Sequence, residues 1–458
     1  MRRARAVWAI ATGVGVAVLA EPAVAHAGAL SGTLNPVPVP SWLIVVTGGG
    51  AVGASFLLTS LVTDHAAIRT VNSWYLSVPT LTTVRTGFVW GARIASTAVL
   101  AIVIVIGLLG PAVPVANLGV LVVWAGWWAG YTMTTYLVGN TWPALNPWRT
   151  LVALVPTGNR SFPERLGGWP SVGGLLVLVL LEVVSPVAQN PRFLAVLVVA
   201  YSVVTVVGSV VYGGDTWFGI VDPIARVFRW YGRLAPLQRT AAGIEWRLPG
   251  AGLAESDGPS TTDETAFVVA LLWVTTYDGL VATPTGATVI RALVGWGIPP
   301  LVVYVGLLLA GFGLFLAVYR LASRRACRTA NTYVTAGFVR RWFAPSLLPI
   351  AAGYHLAHFL GYFLSLLPAL IAVASRPLAP PIALQTLVLP TWFGTLQLLF
   401  VITGHLLGVW VAHARSFSLF PGRLQPVRSQ YPFVIVMVFY TMTSMWVVAQ
   451  PFTPPPYI

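Results

Sequence analysis

Long apolar segments recur along almost the whole chain, and they constrain its fold more than any other feature. Ten segments have the length that a membrane-crossing helix needs, about 20 mostly apolar residues. They lie at residues 42–62, 88–109, 116–137, 170–187, 193–212, 265–282, 297–319, 345–372, 391–411 and 433–450. Only 8% of the residues are charged, whereas a soluble domain has roughly a quarter. The sequence therefore predicts an all-α polytopic transmembrane helix bundle of about ten spans.

The N-terminus has the three parts of a secretory signal peptide. Three arginines come first, Val7–Ala20 is apolar, and Ala23–Ala25 reads A-x-A, which is typical of a cleavage site. We therefore predict a signal peptide at residues 1–25, followed by a single integral membrane domain at 26–458. The alternative is an uncleaved first anchor, although the apolar run is short for a membrane span.

The basic residues predict the orientation in the membrane. All 26 are arginine, and the net charge is +14. Because they lie in short loops between apolar segments, they indicate topology and contact with an anionic inner leaflet rather than nucleic-acid binding. With the signal cleaved, 19 arginines fall in loops predicted to be cytoplasmic and only 3 in loops predicted outside. The prediction is a multi-pass plasma-membrane protein with both mature termini extracytoplasmic. Its long cytoplasmic loops are predicted at 138–169, 213–264 and 320–344.

Ionisable side chains within the apolar segments mark the candidate functional site. His355 and His358 share one helix face in the eighth segment, and Asp278 lies at about the same depth in the sixth. His405 lies in the ninth segment, ~10 Å from its inner end, and His413 follows that segment. A charged residue at bilayer depth costs ~2.5–3.5 kcal/mol on insertion scales, so it usually serves a function. We expect the first four to form a cluster, with His413 at the inner mouth.

A metal is one interpretation of this cluster. Imidazoles with one carboxylate suit Zn, Cu, Fe or Ni, so the candidate ligands are His355, His358, His405, Asp278 and His413. The catalytic candidates are Asp278, His358 and His405. The spacing matches neither H-E-x-x-H nor a cysteine-rich motif, and the chain has a single cysteine. The alternative is structural, because an intramembrane histidine also serves by hydrogen-bonding a neighbouring helix.

His26 is a sixth candidate metal ligand. Cleavage after Ala25 would leave His26 with a free N-terminal amine, and amine and imidazole together chelate copper. No other histidine is predicted on the outer side, so a third ligand would come from a partner protein.

A short internal repeat occurs in two of the predicted cytoplasmic loops. Gly-Asn-Thr-Trp at 139–142 is followed by Asn146-Pro147, and Gly-Asp-Thr-Trp at 214–217 is followed by Asp222-Pro223. Asn or Asp before Pro predicts a capped helix start. The second copy predicts a basic amphipathic helix on the inner leaflet, and we expect a flexible stretch between Gly250 and Thr262. The repeat fits either two ordinary interfacial anchors or a pair of elements that gate an opening on the inner side.

Several motifs along the chain are familiar together. They are Ala25-His26 after the signal, Asn146-Pro147-Trp148-Arg149, the loop with Trp217, Asp222-Pro223 and Arg233-Leu234-Ala235-Pro236, Asp278-Gly279-Leu280, Ala357-His358, Gly404-His405 with Ala412-His413, and Arg428-Ser429-Gln430-Tyr431. Through them the chain resembles, over nearly its whole length, a family of prokaryotic polytopic membrane proteins of which some members are labelled fenitrothion hydrolase. The resemblance implies cleavage of an organophosphate ester. It carries over His26, Asp278, His358, His405 and His413 as site residues, but not His355.

Three functions fit these observations. The first, which the resemblance favours, is a metal-assisted membrane hydrolase in which Zn, Cu or Fe activates water. The second is a transporter of metal ions or protons that uses the same residues. The third is a membrane subunit of a larger complex that binds haem or copper. The sequence leaves open whether the histidine-bearing helices are adjacent, and whether a partner membrane subunit or a homo-oligomer contributes.

Overall fold

The computed structural model describes residues 40–79, 82–156, 158, 160–241, 243–255 and 258–458. The predicted signal peptide and His26 lie outside the described residues. Helices make up most of the rest. In chain order they are α1 (Ser41–Ser60), α2 (His65–Ser73), α3 (Thr82–Leu109), α4 (Leu118–Leu121, Val122–Tyr131 and Thr132–Leu137), α5 (Trp142–Leu145), α6 (Pro147–Val152), α7 (Trp169–Val184), α8 (Pro191–Tyr212), α9 (Pro223–Gly232), α10 (Ala251–Glu255), α11 (Thr262–Val281), α12 (Pro284–Gly295), α13 (Pro300–Thr329), α14 (Ala336–Phe343), α15 (Leu348–Ser375), α16 (Phe393–Leu419) and α17 (Leu424–Val448). Shorter helical segments are Pro114–Ala116, Pro186–Ala188, Gly214–Thr216, Trp217–Val221 and Ala344–Leu347.

The predicted all-α membrane bundle is confirmed. Eight helices of the described chain are long and apolar enough to cross a membrane, namely α1, α3, α8, α11, α13, α15 with α14 ahead of it, α16 and α17. The other two predicted spans are also helical. One is α7, which has 16 residues, and the other is α4, whose middle segment, Val122–Tyr131, is π-helical. A membrane-spanning helix pairs its backbone N–H and C=O groups within itself, as the bilayer interior requires.

Helix α11 is the centre of the bundle. It is 89% buried over its apolar window, whereas the other membrane-length helices are between 17% and 50% buried. It packs against α7, α13, α15 and α17. A helix that is apolar on all sides is expected in such a central place, because it has no polar face to turn outward. The position explains why Asp278, on α11, lies inside the protein rather than against lipid.

A small antiparallel sheet at one end of the bundle was not predicted. Strand β1 (Tyr75–Val78) follows α2, and the hairpin of β2 (Leu237–Thr240) and β3 (Gly243–Arg247) follows α9. The strand order is β1-β3-β2. Strands this short are stable only when other parts of the chain pair with them, so their own sequence carries little signal.

Two predictions for the loop 213–264 were wrong. Helix α9 does not lie on the inner leaflet, because Arg226 is only 2% exposed and Trp230 only 1%. Its charge is met within the protein, since Arg226 pairs with Asp263 at 3.2 Å. The stretch expected to be flexible includes α10, in which Leu253 is fully buried.

The predicted helix starts in the two copies of the internal repeat are confirmed. The Asn146 side chain accepts a hydrogen bond from the backbone N–H of Arg149 at the start of α6. Asp222 accepts hydrogen bonds from Ile224 and Ala225 at the start of α9. Each helix has proline at its first position, which has no backbone N–H to leave unpaired.

Candidate functional site

Asp278 and His358 face each other inside the bundle. His358 Nε2 on α15 lies 3.4 Å from Asp278 Oδ2 on α11. The Asp278 side chain is 11% exposed and the His358 side chain 17% exposed, so both groups are mostly buried and keep a small accessible surface. The ring of Tyr354, one helical turn before His358, stacks on the imidazole at 6.2 Å and 12°. The pair is therefore buried, oriented and still accessible to small species.

A narrow cavity of about 30 Å³ adjoins this pair. Its lining comes from α15, from the end of α11 and the loop after it, from the start of α16, and from the end of α17 and the chain after it. The lining residues are Gly279, Ala282, Thr283, Tyr354, His358, Gln397, Val447, Val448, Gln450 and Phe452. A water molecule needs roughly 10–15 Å³ of such space. The cavity has room for one or two waters, and it lies at the bundle end that the arginine pattern predicts to be extracytoplasmic.

The C-terminal tail forms part of the wall of this cavity. The backbone N–H of Thr453 donates to the carbonyl of Ala282 at 2.9 Å. The Tyr304 hydroxyl donates to the carbonyl of Pro456 at 2.8 Å. These two bonds hold the tail in place before and after Pro454 and Pro455, and Phe452 becomes part of the cavity wall.

His355 lies beside this site in an aromatic enclosure. It is 1% exposed, and its Nδ1 is 3.0 Å from the hydroxyl of Tyr136 on α4. The rings of Trp128, Tyr136, Tyr231 and Phe359 surround the imidazole at centroid distances of 4.7–6.2 Å. Phe359 also contacts His358, at 4.8 Å. One phenyl ring therefore packs against both imidazoles.

The remaining candidate histidines, His405 and His413, contact backbone carbonyls and a side-chain amide. His405 is fully buried, and its Nδ1 lies 2.9 Å from the carbonyl of Val401 on the same helix. His413 Nε2 lies 2.8 Å from the carbonyl of Val62, and its Nδ1 lies 3.3 Å from the amide of Gln430. These bonds tie α16 to the end of α1 and to α17. The two contacts of His413 suit a neutral imidazole that joins neighbouring helices.

The predicted four-residue cluster is only partly assembled. The structure brings together Asp278 and His358, with His355 alongside, while His405 bonds elsewhere. In the residues that the structure describes, no group of three or more His, Cys, Asp or Glu stands close enough to hold a metal ion. Depth along each helix was predictable from the residue count, but the direction in which each side chain points around the bundle was not.

Several site residues were missed by the sequence reasoning. Tyr136, Tyr231 and Tyr354 carry buried hydroxyls near the histidines, and the sequence analysis singled out none of them. Gln397 was overlooked, although an amide in an apolar segment was a visible signal. Its Nε2 donates to the carbonyl of Ala357 at 2.7 Å, one residue before His358. That bond holds α16 against the histidine-bearing turn of α15.

Comparison with known proteins gives no family assignment. A scan against protein-family models, a search of curated proteins and a search of solved structures each found no match. The resemblance drawn from the motifs stays a prediction, and the functional argument depends on the geometry of the site.

Proposed function

We propose that this membrane protein carries out proton-coupled transport, with Asp278 and His358 as the groups that take up and release the proton. The observation that carries the proposal is the 3.4 Å contact between the imidazole and the carboxylate. The carboxylate stabilises a protonated imidazole, and a protonated imidazole stabilises the carboxylate, so one proton is shared between two groups. Ionisable pairs within transmembrane segments are typical of proton relays in pumps and transporters.

Access from the predicted outer side supports this function. The cavity next to His358 has room for one or two waters. The buried Tyr354 hydroxyl, which also lines it, has no hydrogen-bond partner within the described protein, so it is available to such a water. A water between this hydroxyl and the imidazole would connect the pair to the cavity mouth.

A continuation toward the predicted inner side is also present. His355 is one helical turn nearer the inner end of α15 than His358, and it is hydrogen-bonded to Tyr136. The ring of Tyr231 lies 5.3 Å from that of Tyr136, and its buried hydroxyl has no partner among the described residues. Phe359 packs against both imidazoles, at centroid distances of 4.7 and 4.8 Å, so its ring borders the path that a proton would follow between them.

Hydrolysis of an organophosphate-type ester is the second candidate. The resemblance suggests it, and one observation favours it: His358 borders a water-sized cavity and has a carboxylate as its partner. An imidazole oriented by a carboxylate is a typical general base for activating water. A cavity of about 30 Å³ does not hold an ester, so substrate entry would require the C-terminal tail to move. The pair supplies two metal donors, and a metal would need further ligands from water or substrate.

Proton flux in proteoliposomes tests the proposal. Purified protein is reconstituted around a pH-sensitive dye, and a potassium diffusion potential drives proton entry. Because no co-substrate is present, we expect slow uncoupled proton flux in the wild type, its loss in Asp278→Asn and in His358→Gln, and wild-type flux in Asp215→Asn, whose side chain is fully exposed at 103%. Flux that is unchanged in Asp278→Asn would contradict the proposal. The same vesicles, assayed for ester cleavage with and without added Zn²⁺, support the hydrolase if turnover requires His358 while the wild type moves no protons.

A further inference from the structure

We infer that the three-stranded sheet is an anchor that inserts one face into the headgroup region of an anionic phospholipid leaflet. The inference is independent of the transport proposal, because it concerns the opposite end of the bundle from the cavity. It rests on how the two faces of the sheet are turned, on where the sheet is attached, and on the charge of its outer face.

The polar face of the β2–β3 hairpin is turned toward the protein, whereas Tyr75 and Ser77 of β1, on the same side of the sheet, are exposed. Gln238 on β2 donates to the backbone carbonyls of Gly232 and Ala235 at 2.9 and 2.5 Å. Glu245 on β3 is 7% exposed and accepts from Arg247 Nε at 2.9 Å. Arg247 in turn pairs with Glu255 on α10 at 2.5 Å. These hydrophilic side chains on one face of the hairpin thus form their bonds within the molecule.

The apolar face is turned outward. Residues directly opposite each other in a sheet share a face, so the pairs Leu76–Trp246 and Val78–Ile244 line one side. Leu76 is 57% exposed and Trp246 47% exposed. A half-exposed antiparallel sheet in water has the reverse arrangement, with its apolar side on the core. The outer face of this sheet is therefore suited to an apolar environment.

The chain attaches this face to the lipid-facing surface. Strand β1 lies between α1, which ends at Ser60, and α3, which begins at Thr82, and both helices are membrane-length. Helix α3 is the least buried of these, and its first turns expose Phe88 at 68% and Trp90 at 55%. Because only a few residues separate β1 from α3, the sheet is held at the depth where the span enters the bilayer. Tryptophan is enriched at that depth.

The charge on this face selects the kind of lipid. Arg239 is opposite Ile244 in the register of β2 and β3, so it shares the apolar face, and it is exposed. An arginine there extends its stem along apolar neighbours and places its guanidinium on phosphate. No described acidic side chain lies on that face of the three strands. The combination of tryptophan, aliphatic side chains and arginine fits an anionic headgroup region.

Spin labels on adjacent residues of β1 test the inference. In a Cys327→Ser background, Leu76→Cys places a nitroxide on the outer face and Ser77→Cys places one on the opposite face, as a matched control. The protein is reconstituted in vesicles of phosphatidylcholine with phosphatidylglycerol. We expect the label at 76 to be relaxed by oxygen and shielded from a water-soluble nickel chelate, at a depth of about 5–10 Å. The label at 77 should be relaxed by the nickel chelate. Arg239→Gln should make the label at 76 shallower, and removal of phosphatidylglycerol should have the same effect.

Two outcomes would overturn the inference. If nickel relaxes the label at 76 as strongly as the label at 77, the outer face lies in water. If neither reagent reaches the label at 76, protein covers the face, and the occupant is a second copy of the chain.

Discussion

His358 on α15 and Asp278 on α11 form a contact of 3.4 Å between an imidazole nitrogen and a carboxylate oxygen at the centre of the bundle. Helix α11 is the most buried of the membrane-length helices, and the two side chains are only 11% and 17% exposed, so protein encloses most of the pair. Removing one member leaves the other in an apolar environment without its counterpart, which has a high free-energy cost.

A double-mutant cycle measures this coupling. Asp278→Asn and His358→Gln should each lower the free energy of unfolding by about 1–3 kcal/mol, because each leaves a buried polar group poorly paired. The double variant should lose less than the sum, with a coupling energy of about 0.5–3 kcal/mol. Unfolding by dodecyl sulfate in mixed micelles provides the measurement. Additive effects of the two substitutions would show that the groups do not interact.

The close crossing of α15 and α16 predicts a second effect on stability. A Cβ added at Gly353 would stand 2.7 Å from the carbonyl oxygen of Phe400 and 2.9 Å from the Cα of Gly404. Because these are backbone atoms, the helices must separate, and Gly353→Ala should cost about 1–3 kcal/mol. The control is Gly306→Ala on α13, where nothing lies within 4 Å of the added methyl group. Equal stability of the two variants would contradict the observed crossing.

The C-terminal tail should control entry to the cavity. Deletion of residues 451–458 removes Phe452 from the cavity wall and both hydrogen bonds that hold the tail. In a Cys327→Ser background, a thiol introduced as Ala282→Cys should then react faster with a membrane-impermeant maleimide. Tyr304→Phe removes only the bond to Pro456, so its labelling rate should be intermediate. If deletion leaves the rate unchanged, the tail does not restrict access.

Asp222 should make stability depend on pH. Burial raises the pKa of its carboxyl above the ordinary value of 3.8, although the Tyr201 hydroxyl donates to it at 2.6 Å. A raised pKa means that the fold favours the protonated form, so this stabilisation is complete below about pH 3.8 and is lost as the pH rises through the folded-state pKa. Asp222→Asn keeps the helix cap without the charge. As the pH rises from acidic to neutral, the free energy of unfolding of Asp222→Asn should therefore increase relative to that of the wild type.

Asp222→Ala is the matched comparison. It removes the cap at the start of α9 and should cost about 1 kcal/mol relative to Asp222→Asn at every pH. Unfolding temperatures in detergent, measured across this range, check both variants. A constant gap between wild type and Asp222→Asn would contradict the pH effect.

The sequence predicted the parts of this fold that depend on local composition. Each of the ten apolar segments forms helix, and Asn146 and Asp222 cap helices where the Asx-Pro pattern predicts it. The depths of Asp278 and His358 also followed from counting residues along their helices. The location of α9 was mispredicted. Its arginines were expected to contact lipid phosphate, but they pair with Asp263 and Glu264, which are distant in sequence.

The sequence by itself determined that the chain is a membrane-type helix bundle with ionisable groups at membrane depth. The physical reason is that helix formation in apolar segments depends on local backbone hydrogen bonding and on hydrophobicity, both of which are written along the chain. Tertiary structure alone decided that His358 meets Asp278 while His405 turns to its own helix. It also paired the strands of the sheet with its apolar face outward. Those outcomes depend on the rotation of each helix about its axis and on contacts between distant segments, which arise only when the whole chain packs.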